Sequence, residues 1–137
     1  MANNIDIVLI PEDKISTVYP MIIRDMQKLL AKAKNGYNEK HMMQELLNGD
    51  YQLWLIWEKE KKEHYGFVIT EIVTRPLSKF CSVIIMTGKE RQLWQFKVMK
   101  TLERYAIQHG CDKGYSLAAK GGQKFINLMG IKKPMYY

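Results

Sequence analysis

The chain has little of what marks several large classes of protein. Only 2 of its 137 residues are cysteine, and Cys81 and Cys111 fit neither a disulfide framework nor a CxxC metal or redox site. No apolar run approaches the ~18 residues that a membrane-spanning helix needs. The start of the chain lacks the basic and apolar segments of a secretion signal. We therefore expect no membrane segment and a cytoplasmic location.

Acidic residues are scarce in the second half. Residues 1–68 contain 9 Lys and Arg against 10 Asp and Glu, whereas residues 69–137 contain 12 against 4. The formal net charge of +7 thus arises in the second half. This asymmetry indicates an anionic partner: a phosphorylated cofactor, a nucleic acid or an acidic surface. A basic surface that is simply exposed to solvent would have the same numbers of charged residues.

Motifs for metal binding, hydrolysis and nucleic-acid recognition are also absent. His41 and Glu45 form an i, i+4 pair, but no third ligand is spaced to complete a metal site. No serine lies in a G-x-S-x-G elbow. No helix-turn-helix, zinc finger or RNP motif supports nucleic-acid binding. The alternating charges of residues 58–63 are typical of a solvated hairpin tip.

Hydrophobic periodicity predicts a single domain over residues 1–137. The elements expected are strand 6–10, helix 15–33, helix 39–47, strand 51–57, strand 64–74, strand 80–86, helix 90–109, strand 112–119, helix 123–129 and a strand in the tail. Pro20 is tolerated only early in a helix, so the first helix either begins near Tyr19 or follows a short turn.

The order of these elements predicts a mixed α/β fold. The strand at 80–86, the helix after it and the strand at 112–119 form a βαβ unit, whose strands lie parallel with a right-handed crossover. The hairpin strands before it are antiparallel. We therefore expect a central mixed sheet with helices on both faces.

Three segments resemble the Gcn5-related N-acetyltransferase (GNAT) fold. Residues 105–111 (YAIQHGC) are similar to the end of the family's central helix, and Gly130-Ile131 stands for its Gly-Phe ending. Tyr65-Gly66-Phe67 resembles the strand after its charged hairpin. The resemblance covers the whole chain and is closest to compact GNAT-like proteins of tailed bacteriophages. It implies a location in the host cytoplasm or the virion.

The resemblance implies acetyl-CoA as cofactor, bound in a V-shaped gap between the two parallel strands. Backbone groups of the strand that ends at Met86 would pair with the pantetheine, and Thr87 and Gly88 would contact the cofactor. Lys89 and Arg91, at the predicted start of the helix, would meet the pyrophosphate, because a helix N-terminus favours phosphate.

The same resemblance implies catalytic residues. Glu71 lies near the end of the third strand, where family members place a base that takes a proton from the acceptor amine. The family's general-acid tyrosine falls on Ile126, which cannot donate a proton. Water or another tyrosine would then protonate the leaving sulfur.

The phosphate loop departs from the family pattern. Its glycine positions fall on Leu93 and Gln95, and its first position on Glu90, which repels phosphate. Two hypotheses follow. The chain is an N-acetyltransferase that transfers acetyl from acetyl-CoA to the amine of an unknown acceptor. Alternatively, it is a degenerate GNAT-fold binding or virion-associated protein whose basic half contacts an anionic partner.

Overall fold

A computed structural model describes residues 4–32, 38–111 and 115–117. In these residues the elements are β1 (Ile5–Leu9), α1 (Ile15–Lys32), α2 (Glu39–Asn48), β2 (Tyr51–Glu58), β3 (Glu63–Arg75), β4 (Ser78–Gly88), α3 (Gln95–Gln108) and β5 (Tyr115–Leu117). The predicted order is confirmed as far as β5. The helix predicted at 123–129, the strand predicted in the tail and Ile126 lie outside the described residues. Within the described ranges, no helix is long and apolar enough to cross a membrane.

The strands form one sheet in the order β1-β2-β3-β4-β5. The pairs β1–β2, β2–β3 and β3–β4 are antiparallel. β4 and β5 are parallel, and Ser82 lies opposite Ser116 at the centre of this pairing. The mixed sheet and the parallel βαβ unit are therefore both confirmed.

Helices cover both faces of the sheet, as predicted. Along β3, Phe67 and Ile69 pack with the core of α1 and α2, whereas Val68 between them packs with the core of α3. This is the alternation that a strand imposes on its side chains. Burial of each large apolar side chain stabilises the fold by about 1.5–3 kcal/mol. The two cores hold the sheet between them.

Helix α1 begins earlier than Tyr19 and runs through Pro20. A 3-10 turn at Glu12–Lys14 precedes it, so the alternative of a short turn before the helix is the right one. Pro20 is the sixth residue of the helix, and the backbone bond that proline cannot donate would have gone to the carbonyl of Ser16. The helix loses one hydrogen bond there.

Helix α2 agrees with its prediction because both ends have sequence signals. The Oδ1 atom of Asn38 accepts the backbone N–H of His41 at 2.8 Å, which satisfies a free donor of the first turn. At the other end Gly49 adopts a left-handed conformation with φ of 82°.

The predicted start of α3 at Glu90 is wrong, since the helix begins at Gln95. Glu90 is left-handed with φ of 56°, and a 3-10 turn at Arg91–Leu93 follows. Trp94 explains the difference. Its ring is fully buried in the α3-side core, and its indole N–H donates to the carbonyl of Lys89 at 2.8 Å. The backbone that places the Trp94 ring in this position is not helical, so the helix begins only after Trp94.

Candidate functional site

A β-bulge interrupts β4 beside its junction with β5. Ile69 of β3 lies opposite Ile85 and Thr70 lies opposite Val83, so Ile84 is an extra residue on β4. As a result Ile84 and Ile85 both pack into the core of α1 and α2. A bulge bends its strand and disrupts the local ladder. It therefore turns β4 at the point where the described pairing with β5 ends, at Val83.

Beyond Val83, no strand in the described part of the chain pairs with β4 on this edge. On the other edge, the backbone N–H of Lys89 donates to the carbonyl of Tyr65 at 2.8 Å. This bond makes Gly66 and Gly88 a non-hydrogen-bonded pair of the antiparallel ladder. The backbone N–H and C=O of Gly88, and those of Met86 two residues earlier, therefore point away from β3. Backbone groups of Thr87 point toward β3.

The strands β3 and β4 approach each other closely at these two glycines. A Cβ atom on Gly66 would lie 2.2 Å from the carbonyl oxygen of Thr87 and 2.7 Å from Cα of Gly88. Both atoms belong to the backbone and cannot move aside. The glycine pair thus holds the end of β4 flat against β3, while its other edge stays free of described strands.

The first turn of α3 lies next to this edge. No side chain caps it, and its first bonded N–H is that of Val98, which donates to the carbonyl of Trp94 at 3.0 Å. The unpaired N–H groups of a helix start therefore belong to residues 95–97 and not to the predicted start of the helix beside Lys89 and Arg91. The ammonium group of Lys97 donates a hydrogen bond to the carbonyl of Ile5, so it already has a partner within the protein.

Lys89 and Arg91, predicted as phosphate contacts, lie in the connection between β4 and α3. Both are exposed. Nζ of Lys89 lies 3.1 Å from Oε1 of Glu63 and 4.7 Å from the ring centroid of Tyr65. The structure thus brings Met86, Thr87, Gly88, Lys89 and Arg91 together on one segment at the end of β4.

Glu71, predicted as a base, lies on the α1/α2 face of the sheet. It is opposite Tyr51 of β2 and Ser82 of β4. Partial burial raises the pKa of Glu71, and the negative charges of Glu45 and Asp50 raise it further. His41 acts in the opposite direction and lowers the pKa. This carboxyl group therefore keeps its proton more readily than an exposed glutamate does.

The opposite face of the sheet carries a buried polar chain beside the bulge. The indole N–H of Trp54 donates to Oγ1 of Thr70 at 3.0 Å, and that hydroxyl donates to Oε1 of Gln52 at 2.9 Å. Thr70 is fully buried. The chain therefore ties β2 to β3 at Thr70, the residue of β3 that lies opposite Val83 beside the bulge.

Two features of this region could not be predicted from the sequence. Ser82 is buried and shares a face with Glu71, a relation that depends on strand register and leaves no local signal. Glu63 belongs to the charged run expected to be a solvated tip. Glu58, in the same run, is only 7% exposed, and its Oε1 accepts the N–H of Glu60 at 2.8 Å. The run is therefore not uniformly solvated.

A cleft of about 350 Å³ lies elsewhere, at the start of β2. The turn into α1, the end of α2 and Tyr105 of α3 complete its walls. In the sheet order it lies on the side of β1 and β2, two strands from β4. It is therefore separate from the open edge of β4.

No family model and no curated protein matches the sequence. Solved structures do match the fold. A probable acetyltransferase has a TM-score of 0.71 at 14% identity, covering 96% of this chain and 93% of that one. A predicted acetyltransferase with acetyl-CoA from Clostridium acetobutylicum has a TM-score of 0.62 at 13% identity, covering 97% and 93%.

An aminoglycoside acetyltransferase from an uncultured soil metagenomic sample also matches, with a TM-score of 0.64 at 10% identity, covering 98% of this chain and 90% of that one. Together with the topology, these similarities show that the chain has the GNAT fold. At sequence identities this low, the similarity shows the fold and does not show the function.

Proposed function

We propose that this chain is an N-acetyltransferase that uses acetyl-CoA and transfers the acetyl group directly to an amine. The observation that carries the proposal is the open edge of β4, by which we mean the stretch beyond Val83 that no strand of the described residues covers. There the backbone groups of Met86 and Gly88 face away from β3, next to Lys89 and the uncapped start of α3. An extended polar arm with a phosphate at one end fits such an edge.

The residues present fit the cofactor at both of its ends. Gly88 and Ser82 are six residues apart on β4, a distance of roughly 20 Å. Lys89 and Arg91 would hold the phosphates at one end, and the N–H groups of residues 95–97 would add donors. Near the other end of that span, Ser82 lies opposite Glu71.

Bound acetyl-CoA would supply an acetyl thioester, whose C–S bond breaks as the amine nitrogen bonds to the acetyl carbon. Glu71 accepts the proton that the amine loses. A base with a raised pKa suits this task, because it takes the proton from an ammonium-type acid near neutral pH more effectively than an ordinary glutamate. Water or another tyrosine would supply a proton to the sulfur, since the family's tyrosine position is Ile126.

The surroundings of Glu71 favour a positively charged amine as the acceptor. Among the described residues, Glu45 and Asp50 both act on Glu71 by their negative charge, and His41 opposes them. A cationic amine approaching Glu71 therefore enters a region of negative potential.

Calorimetric titration with acetyl-CoA, combined with amide NMR shifts, tests the proposal. We expect heat of binding and larger shifts for the amides of Met86 and Gly88 than for that of Thr87, which points toward β3 and serves as the internal control. ATP, at a concentration that supplies the same amount of negative charge, is the control for nonspecific anion binding. No heat and no shift at millimolar acetyl-CoA would remove the enzymatic function.

The alternative, a binding or virion-associated protein without catalysis, is favoured by Glu90. This acidic residue lies between Lys89 and Arg91 in a strained left-handed conformation. Salt-dependent binding of mixed-sequence DNA, without binding of acetyl-CoA, would support a nucleic-acid partner. Binding that withstands high salt would indicate a protein partner, and a phage origin would fit either outcome.

A further inference from the structure

Two lysines converge on the ring of Tyr65, where β4 leads into α3. Nζ of Lys89 lies 4.7 Å from the ring centroid, and Nζ of Lys61 lies 5.9 Å from it. The two ammonium groups are therefore no farther apart than the sum of these distances. Tyr65 is only 6% exposed and packs into the α3-side core, so the ring is a fixed platform for both cations.

The backbone of Lys89 is anchored on both sides. Its N–H donates to the carbonyl of Tyr65 at 2.8 Å, and its own carbonyl accepts the indole N–H of Trp94 at 2.8 Å. Trp94 is fully buried. Only the side chain of Lys89 is free to exchange one partner for another.

The present partner of Lys89 is Glu63, at 3.1 Å. The side chains are 57% and 43% exposed, and ion pairs with this exposure contribute little to stability. A phosphate group offers more negative charge and more acceptor oxygens than a carboxylate, so it forms the stronger contact with an ammonium. Glu63 is therefore a weak competitor for Lys89.

We propose that Lys61 and Lys89, positioned by Tyr65, bind the phosphate groups of the acyl-CoA donor, and that Glu63 is the counter-ion which the phosphate displaces from Lys89. The inference rests on the proposed function and adds the β2–β3 hairpin to the cofactor site. It makes Glu63 a residue that limits affinity for the donor.

The hairpin offers a matched control for this ion pair. Nζ of Lys59 lies 3.7 Å from Oδ1 of Asp6, and these side chains are 54% and 45% exposed. The Lys59–Asp6 pair thus has the same charges and nearly the same exposure as the Lys89–Glu63 pair. It lies on the β1 side of the hairpin, whereas Lys89 lies on the β4 side.

The test is calorimetric binding of CoA, adenosine 3′,5′-bisphosphate and pantetheine to the full chain. Lys89→Gln and Lys61→Gln should each weaken CoA binding about tenfold, the size of a lost charge-assisted hydrogen bond. Glu63→Gln should tighten it about two- to fivefold, the size of an exposed ion pair. The bisphosphate should follow CoA, and pantetheine should be unaffected.

A double variant separates the counter-ion from general charge effects. If Glu63 acts through Lys89, Glu63→Gln combined with Lys89→Gln binds CoA no more tightly than Lys89→Gln alone. The controls Lys59→Gln and Asp6→Asn should leave the affinity unchanged. Equal tightening by Asp6→Asn and Glu63→Gln would overturn the counter-ion role.

The two proposals fail in different ways. If the wild-type chain binds CoA and the Lys61, Glu63 and Lys89 variants bind it equally well, the inference is wrong and the proposed function stands. If the wild-type chain binds neither CoA nor the bisphosphate, the proposed function is wrong and the inference falls with it.

Discussion

Glu71 and Ser82 lie directly opposite each other on β3 and β4, with both side chains on the α1/α2 face. The bulge at Ile84 begins two residues after Ser82. A carboxyl group with a raised pKa thus lies on β3, opposite a residue of β4 two positions before the stretch that no described strand covers, where the proposed transfer requires a base.

Replacement of Glu71 tests its role in proton transfer. If it is the base, Glu71→Gln should lower the rate of CoA release in the presence of an accepting amine about 100-fold. The wild-type rate should rise with pH through the raised pKa of Glu71, because only the ionised carboxylate accepts a proton. The variant should lack this rise.

A control and a shift make the pH test sharper. Glu103→Gln alters an exposed glutamate of α3 and should leave the profile unchanged. Glu45→Gln removes a negative charge that raises the pKa of Glu71, so the rise should move to lower pH. A rise that persists in Glu71→Gln would show that another group is titrating.

The same substitution should stabilise the protein at neutral pH. The pKa of Glu71 is raised in the folded state, so folding favours the protonated form and ionisation lowers the free energy of unfolding. Wild type and Glu71→Gln should be equally stable below the unfolded pKa of about 4.3. As pH rises through the folded pKa, the variant should become the more stable, as urea unfolding at several pH values would reveal. A wild type that gains stability relative to the variant would contradict this.

Gly66→Ala should destabilise the fold, because its Cβ would overlap the carbonyl oxygen of Thr87 and Cα of Gly88. Overpacking of this kind costs about 1–3 kcal/mol, and here the colliding atoms are backbone. Gly110→Ala is the control. Gly110 has φ of 76°, and a Cβ there would meet Nζ of Lys79 at an ordinary 3.8 Å, so its variant reports mainly backbone strain, about 1–2 kcal/mol. Chemical denaturation compares them, and a Gly66→Ala variant as stable as wild type would contradict the close approach.

Thr70→Val should cost about 1–3 kcal/mol, because it leaves the buried indole N–H of Trp54 without its acceptor. The shape of the side chain is kept. Thr101→Val provides the comparison, since Oγ1 of Thr101 donates to the carbonyl of Lys97 at an exposed site and should matter little. Equal thermal stability of the two variants would mean that the buried chain contributes nothing.

Local patterns were sufficient for most of the fold. The capping side chain of Asn38 and the left-handed Gly49 mark the ends of α2 in the sequence itself. The parallel βαβ unit follows from the order of its elements, because a crossover of that length returns the chain in the same direction. Such features depend on neighbouring residues or on topology.

The start of α3 could not be predicted in the same way. Residues 90–94 suit a helix by local propensity, yet the burial of Trp94 and its bond to Lys89 place them in a turn. That choice depends on a tertiary contact. The site shares the difficulty, since the pairing of Glu71 with Ser82 requires the register of two strands.

The bulge was equally hidden. Residues 83–85 are all apolar and all buried, so an extra residue among them does not disturb any pattern of alternation. A strand that is buried on both faces is apolar at every position, so its sequence pattern is the same with or without the extra residue.

The extra residue at Ile84 makes the spacing of β4 more important than its side chains. Loss of Ile84 would remove the bulge and restore continuous pairing with β3, so β4 would lose its bend while Met86 and Gly88 keep their present partners. Exchanges among apolar residues at 83–85 leave the bulge in place. In relatives of this chain, β4 is therefore expected to vary in composition while keeping its length. The bulge depends on how many residues the strand has, not on which apolar residues they are.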